Sequence, residues 1–326
     1  MLGTRMIRSS LLLTRNRWTR GRVASLLTLA AILLSSGSGF GGRTPQAAQS
    51  ASSQFPATPA AELVGKCIQH ELDHAHDPTK YMFLMRRKTA HIVETKLMVQ
   101  TNEAIAGLVL SYNDKPMTDE ARKNEEARVD RFVKNPDELR KKQREEHDNR
   151  ERLNRVLRAM PEALLYEYDG FEPATARLGH KGEDLLRVKF HPNPDYNPPT
   201  RLEQLLTGMS GTILLDPRQE RLARIDGTLQ KDVAFGWGIL GHLDKGGRIL
   251  LEQGELADGD WVLSHFMMRF TGKVLFFKNL DVNTTEISWD FHRVADDLSF
   301  AQGLALLKKQ EAEVGNARVA SNESLE

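Results

Sequence analysis

The fold of this chain is indicated most clearly by the stretch Thr285-Glu286-Ile287-Ser288-Trp289-Asp290-Phe291-His292-Arg293-Val294. Bulky or β-branched residues alternate with polar ones at a period of two, which places the two sets on opposite faces of a β-strand. We therefore expect the set that contains Ile287 and Trp289 to be buried, and the set that contains Glu286 to face water. A strand of this kind belongs to a sheet with one apolar face.

The same asymmetry continues outward from this strand. Phe266, Met268 and Phe270 share a face by their spacing, and further strands are predicted at 81–88, 91–100, 104–112, 163–168 and 185–190. Turn residues such as Asn113-Asp114-Lys115 and Asp258-Gly259 separate these segments. The sequence therefore predicts an α+β fold built on an open antiparallel sheet. Helices predicted at 61–76 and 298–310 would pack on its apolar face.

A long charged insertion interrupts the strands at 118–158. It contains 13 basic and 11 acidic residues, and its high helix propensity and opposite charges at helical spacing predict a helical arm. Asn135-Pro136 should break this arm into two helices. Its few apolar residues gather around Phe132 and around Val156, where they could dock on the sheet or on a partner.

The N-terminal segment predicts export. Seven arginines and no acidic residue precede Glu62, and an apolar run at 23–34 is followed by small residues. This order is typical of a signal peptide, which we place at 1–48, with an uncleaved anchor and a mitochondrial presequence as alternatives. A disordered linker is expected at 49–59, the folded domain at 60–310, and a flexible tail at 311–326.

Charge and cysteine content narrow the functional classes. Without its seven N-terminal arginines the chain has 45 − 7 = 38 basic against 44 acidic residues, a net charge near −6. Such a balance argues against a nucleic-acid partner. Cys67 is the single cysteine, so no internal disulfide can form.

One short motif suggests metal chemistry. His70-Glu71-Leu72-Asp73-His74 matches the helical zinc-hydrolase pattern, in which two histidines bind zinc and a glutamate acts as general base. Glu94 is the candidate third ligand. The alternative is an exposed, histidine-rich helix end, favoured by the charged residue Asp73 and by the helix-breaking Pro78. We therefore expect no resident metal and no cofactor.

Several segments of the second half carry a family resemblance: Gly211-Thr212-Ile213-Leu214-Leu215-Asp216, Ala223-Arg224-Ile225-Asp226-Gly227, Phe235-Gly236-Trp237-Gly238-Ile239-Leu240 and Gly272-Lys273-Val274-Leu275-Phe276-Phe277-Lys278. Together with the Phe190-His191-Pro192-Asn193-Pro194 segment, they resemble exported, largely uncharacterised proteins of Acidobacteria-type bacteria. The fold of those proteins is similar to that of the LolA and LolB lipoprotein carriers. The resemblance implies an open half-barrel wrapped around helices, with an apolar hollow.

The expected function is therefore non-catalytic binding or carriage of a lipid, an acylated protein or another hydrophobic ligand in the periplasm or cell envelope of a Gram-negative-type bacterium. The predicted lining of the hollow is Phe235, Trp237, Phe266, Met268, Phe270, Phe277 and Trp289. The alternatives are an envelope protein-interaction module with a self-filled cavity, whose charged arm docks a partner, and a zinc hydrolase. Membrane contact is expected to be peripheral or transient.

Overall fold

The computed structural model describes residues 55–74, 79–175, 177–235, 241–274 and 278–323, with side chains up to residue 312. The predicted signal peptide and most of the predicted linker lie outside these ranges. Within them the chain forms thirteen strands and five helices. The strands are β1 (Lys80–Thr89), β2 (Val93–Val99), β3 (Ala106–Tyr112), β4 (Lys115–Pro116), β5 (Leu164–Pro173), β6 (Asp184–Pro192), β7 (Met209–Asp216), β8 (Arg221–Leu229), β9 (Val233–Phe235), β10 (Gly241–Leu243), β11 (Arg248–Glu255), β12 (Trp261–Val274) and β13 (Lys278–Val294). The helices are α1 (Ala60–His74), α2 (Asp119–Lys134), α3 (Pro136–Ala163), α4 (Phe300–Glu323) and a 3-10 helix (Glu203–Gly208).

In the described ranges, eleven of these strands form one open antiparallel sheet in the order β4-β3-β2-β1-β13-β12-β11-β8-β7-β6-β5. The short strand β10 pairs with β12 and β9 beside this path. Pairing between β1 and β13 joins the two halves of the chain. The predicted class, α+β with an open antiparallel sheet and a charged helical insertion, is confirmed.

The predicted turn between β3 and β4 is present. Asn113 and Asp114 have φ angles of 50° and 61°. Positive φ at both central residues is the geometry of a two-residue hairpin turn, and Asn and Asp tolerate it better than most residues.

The insertion forms two helices that meet at Asn135, as predicted. The backbone amide of Asn135 donates to the carbonyl of Arg131 at the end of α2, and its side chain accepts from the amide of Asp137 at the start of α3. Pro136 occupies the first position of α3, where its missing N–H costs no helical hydrogen bond. A single asparagine therefore serves as the cap of both helices.

The sheet carries helices on both of its faces. One of them, here called the α1 face, is defined by a row of paired residues, Phe266, Leu251, Ile225, Ile213 and Val188. Helix α1 and the C-terminal end of α3 pack on this face, and Ile68 and Leu157 are buried in the same core as Ile213. The protein's own helices thus fill the α1 face over β5 to β8.

Helix α4 lies on the opposite face, and the expectation that it would share a face with α1 is wrong. The row Leu108, Leu97, Leu84 and Trp289 defines this α4 face. Phe300, Leu304 and Leu307 of α4 are buried against it. Glu286 pairs with Phe266, so the side chains of both residues point to the α1 face. Trp289 lies three residues further along β13, and side chains an odd number of residues apart point to opposite sides of a sheet. The two rows therefore lie on opposite faces.

Strand β13 also differs from its prediction. Thr284 and Glu286 face the α1 side and are only 1% and 5% exposed, whereas Ile287 and Trp289 are half-buried on the α4 face. Alternation separated the two sets correctly as far as Trp289, but a bulge at Asp290, where φ is 58°, turns Phe291 to the other face, and there it stacks on Phe83. Alternation also could not show which set would be covered. The buried side of β13 is therefore polar where it was expected to be apolar.

The last helix is longer than predicted. Helix α4 runs through residue 323, so much of the segment predicted as a flexible tail continues the helix. Alanine and glutamate are frequent in this segment, and both favour helix. None of the helices in the described ranges has the length and apolar character that crossing a membrane requires.

Candidate ligand-binding cavity

The predicted lining residues fall into three groups. Phe266 is 2% exposed on the α1 face, Phe270 is buried in the core beneath α1 and α3, and Met268 and Phe235 pack against that core. Trp289 lies on the α4 face, separated from the others by the sheet, so it cannot line one hollow with them. Trp237 and Phe277 lie outside the described residues.

A cavity of about 370 Å³ lies elsewhere, at the β3 edge of the sheet. Its strand residues point to the α1 side, and its helix residues belong to α2, α3 and, around the edge, α4. Its apolar lining residues are Met85, Met98, Ile105, Val109, Val129, Phe132, Phe300 and Leu304. Its charged lining residues are Arg87, Glu94, Lys96, Arg128, Lys142, Glu145, Glu146 and Glu286. The cavity therefore combines an apolar surface with four positive and four negative side chains.

Three strands supply a row of alternating charges to the cavity. Arg87 on β1 stands opposite Glu94 on β2 and opposite Glu286 on β13. The Nε atom of Arg87 lies 3.3 Å from Oε1 of Glu286. Nζ of Lys96 lies 2.8 Å from Oε2 of Glu94. Opposite charges thus lie side by side both within β2 and across β2, β1 and β13. Cross-strand pairs of opposite charge stabilise the pairing of the strands that carry them.

Glu286 is the most buried charged residue of the cavity lining. Burial raises the pKa of its carboxyl above the ordinary value, although the positive charges of Arg87 and Lys96 act in the opposite direction. A carboxylate in such surroundings has lost most of its hydration, so its charge depends on the few groups around it. The Glu286 carboxylate should therefore interact strongly with the charges of any molecule that enters the cavity.

Helix α2 closes one side of the cavity by binding the edge of the sheet. Strand β4 pairs with β3 only at Ser111 and Tyr112, so in the described structure the rest of β3 has no strand on that side. Oε1 of Glu125 accepts a hydrogen bond of 2.9 Å from the amide of Val109. Nη2 of Arg128 donates to the carbonyl of Gly107 at 3.1 Å. These side chains occupy backbone groups that another strand would otherwise bind.

Helix α3 extends this arrangement. Oε2 of Glu146 accepts from the amide of Ile105 at 3.1 Å. Phe132 of α2 packs edge-on against Phe300 of α4, with ring centroids 5.9 Å apart. The two apolar clusters foreseen in the arm thus dock on the protein itself, Phe132 here and Val156 on the core beneath α1. No pattern in the sequence indicates the contact of Glu125 with the backbone of β3 or that of Glu146 with the amide of Ile105, just before this strand.

The residues of the zinc-hydrolase motif make contacts within the protein that do not suit metal-dependent hydrolysis. Nε of Arg221 donates to Oε1 of Glu71 at 2.9 Å, and the amide of Leu222 donates to the same oxygen at 3.1 Å. Nδ1 of His74 lies 2.8 Å from the carbonyl oxygen of His70, and the two rings are tilted by 32° with their centroids 4.1 Å apart. Glu94 belongs to the cavity instead. Among the described residues, no group of three or more His, Cys, Asp or Glu side chains is arranged to hold a metal ion.

Comparison with known proteins identifies no family for this chain. No family model, no curated protein and no solved structure matches the chain. The structure shows a large open antiparallel sheet with a few helices.

Proposed function

We propose that this chain is an exported, non-catalytic binding or carrier protein of the bacterial cell envelope, and that the cavity beneath α2 to α4 takes an amphipathic ligand. The observation that carries the proposal is the composition of the cavity, in which apolar side chains and a buried row of charges line one space. A lipid or an acylated protein offers the matching chemistry, an apolar chain joined to a polar group. The predicted signal peptide and the sequence resemblance to exported proteins with a carrier-like fold support this assignment.

The volume limits what can enter. Ligand pockets commonly measure roughly 300–1,000 Å³, and about 370 Å³ is near the lower end. Each buried methylene would contribute about 0.8 kcal/mol, so even a partly buried acyl chain would bind without covalent chemistry. The proposed ligand therefore inserts its polar group and the adjoining part of one chain, while the rest lies outside. Contact with a membrane would be peripheral and transient.

A second candidate is an envelope interaction module. It is favoured by the α1 face, where α1 and α3 fill the sheet over β5 to β8. In that case the charged arm would be the surface that docks a protein partner.

Native mass spectrometry of protein purified from a membrane fraction tests the carrier proposal. We expect a co-purified amphiphile, and we expect Val109→Trp to abolish it because the larger ring would fill the cavity. Leu165→Trp is the matched control, since Leu165 is exposed on β5. A protein that carries no adduct and binds no lysophospholipid in solution would refute the proposal and favour the interaction module.

A further inference from the structure

We infer that the cavity selects a ligand whose polar group has no net charge, most simply a zwitterion that joins an ammonium to a phosphate or carboxylate. This inference rests on the proposed function and names the class of headgroup. It depends on the charges of the cavity lining, on their pairing, and on the burial of the residues that would contact the ligand.

The lining is balanced in charge. Among the residues that the structure describes, four basic and four acidic side chains line the cavity. Most of these charges have a close partner: Arg87 has Glu286, Lys96 has Glu94, and Lys142 has Glu146. A headgroup with a net charge would leave one charge in excess within a poorly hydrated space, which is costly. A zwitterion adds one charge of each sign and keeps the balance.

The arrangement of the charges also fits two opposite charges on one ligand. Along the row Glu94, Arg87 and Glu286, successive strands carry negative, positive and negative groups. Neighbouring strands are roughly 4.8 Å apart, and the ammonium and the phosphate of a compact headgroup are separated by a comparable distance. The ammonium can therefore lie beside a carboxylate while the anionic group lies beside a guanidinium or ammonium of the lining.

Glu286 and Arg87 are the residues that set this selectivity. Both are largely buried, with side-chain exposures of 6% and 16%, so neither charge is strongly screened by water. Removing the carboxylate of Glu286 would leave the lining with an excess positive charge. Removing the guanidinium of Arg87 would leave an excess negative charge. The two substitutions should shift selectivity in opposite directions.

Isothermal titration calorimetry with three single-chain amphiphiles of equal chain length tests the inference. The probes are lysophosphatidylethanolamine (zwitterionic), lysophosphatidylglycerol (anionic) and an alkyltrimethylammonium salt (cationic), each used below its micelle concentration. We expect the zwitterion to bind about tenfold or more tightly than either charged probe. Glu286→Gln should move the preference toward the anionic probe, and Arg87→Gln should move it toward the cationic probe.

Glu151→Gln is the control, because Glu151 is exposed on α3 and does not line the cavity. Circular dichroism verifies folding, and Lys96→Gln replaces Arg87→Gln if the latter variant unfolds. Equal affinities for the three probes, or unchanged ratios in both variants, would overturn the inference while leaving the carrier proposal intact. Failure of every probe to bind would overturn both.

Discussion

Oε1 of Glu125 on α2 accepts a hydrogen bond from the backbone amide of Val109 on β3, and the same carboxylate is held by the guanidinium of Arg128. A charged side chain from the inserted arm thus takes the place of a neighbouring strand at the edge of the sheet. Natural sheets commonly protect exposed edges with charges or covering elements, because unpaired strands invite aggregation. The arm therefore closes the cavity and protects the edge of β3 at the same time.

Loss of the Glu125 carboxylate should destabilise the protein. Glu125→Ala leaves the amide of Val109 and the guanidinium of Arg128 without this acceptor, and we expect the free energy of unfolding in urea to fall by about 1 to 3 kcal/mol. Alanine favours helix, so the loss cannot come from helix propensity. Glu151→Ala, an exposed change in the same arm, should have little effect. Unchanged stability of the Glu125 variant would mean that water replaces the carboxylate without cost.

Stability should depend on the ionisation of Glu286. Burial raises the folded-state pKa of this carboxyl above its ordinary value of 4.5. The folded protein therefore holds the proton more tightly than the unfolded chain, and stability decreases as the pH rises from 4.5 through the raised value. We expect Glu286→Gln to flatten this part of the pH profile, measured by urea unfolding at a series of pH values. If the unfolding free energies of the wild type and of Glu286→Gln changed with pH in parallel, the raised pKa of Glu286 would be contradicted.

Removing one partner of the ion pair between Glu71 and Arg221 should destabilise the protein strongly, whereas replacing both partners by apolar residues should not. Both side chains are 2% exposed. Glu71→Ala leaves a buried guanidinium without its carboxylate, and we expect a loss of about 3 to 5 kcal/mol in the free energy of unfolding. Replacing both residues by methionine should cost much less, because no charge is then left buried. A double variant as unstable as Glu71→Ala would show that shape, rather than charge, governs this site.

Zinc should not bind stoichiometrically at the His70 and His74 pair. Glu71 is held by Arg221 and Leu222, so it is not available as the general base that the motif implies. We expect dialysed protein to retain no equivalent of zinc by elemental analysis, and His74→Ala to have the same metal content as the wild type. One zinc per chain that survives dialysis and is lost in His74→Ala would instead support the hydrolase hypothesis.

Local sequence signals determined much of the architecture. Period-two alternation identified strands, the turn predicted at Asn113-Asp114 is present, and Asn135-Pro136 separates α2 from α3. These features depend on backbone preferences and on neighbours within a few residues. For that reason a single sequence was enough to predict them.

Tertiary structure alone decided which face of each strand is covered and by what. Alternation separated Glu286 from Trp289, but only the pairing of β13 with β1 and β12, together with the docking of the helical arm at the cavity, placed the glutamate in a buried site. Contacts such as that of Glu125 with Val109 join residues from separate elements and leave no periodic trace in the sequence. The strand from Thr285 to Val294 therefore contributes a buried glutamate to a mixed cavity, because burial is set by long-range packing that no local pattern encodes.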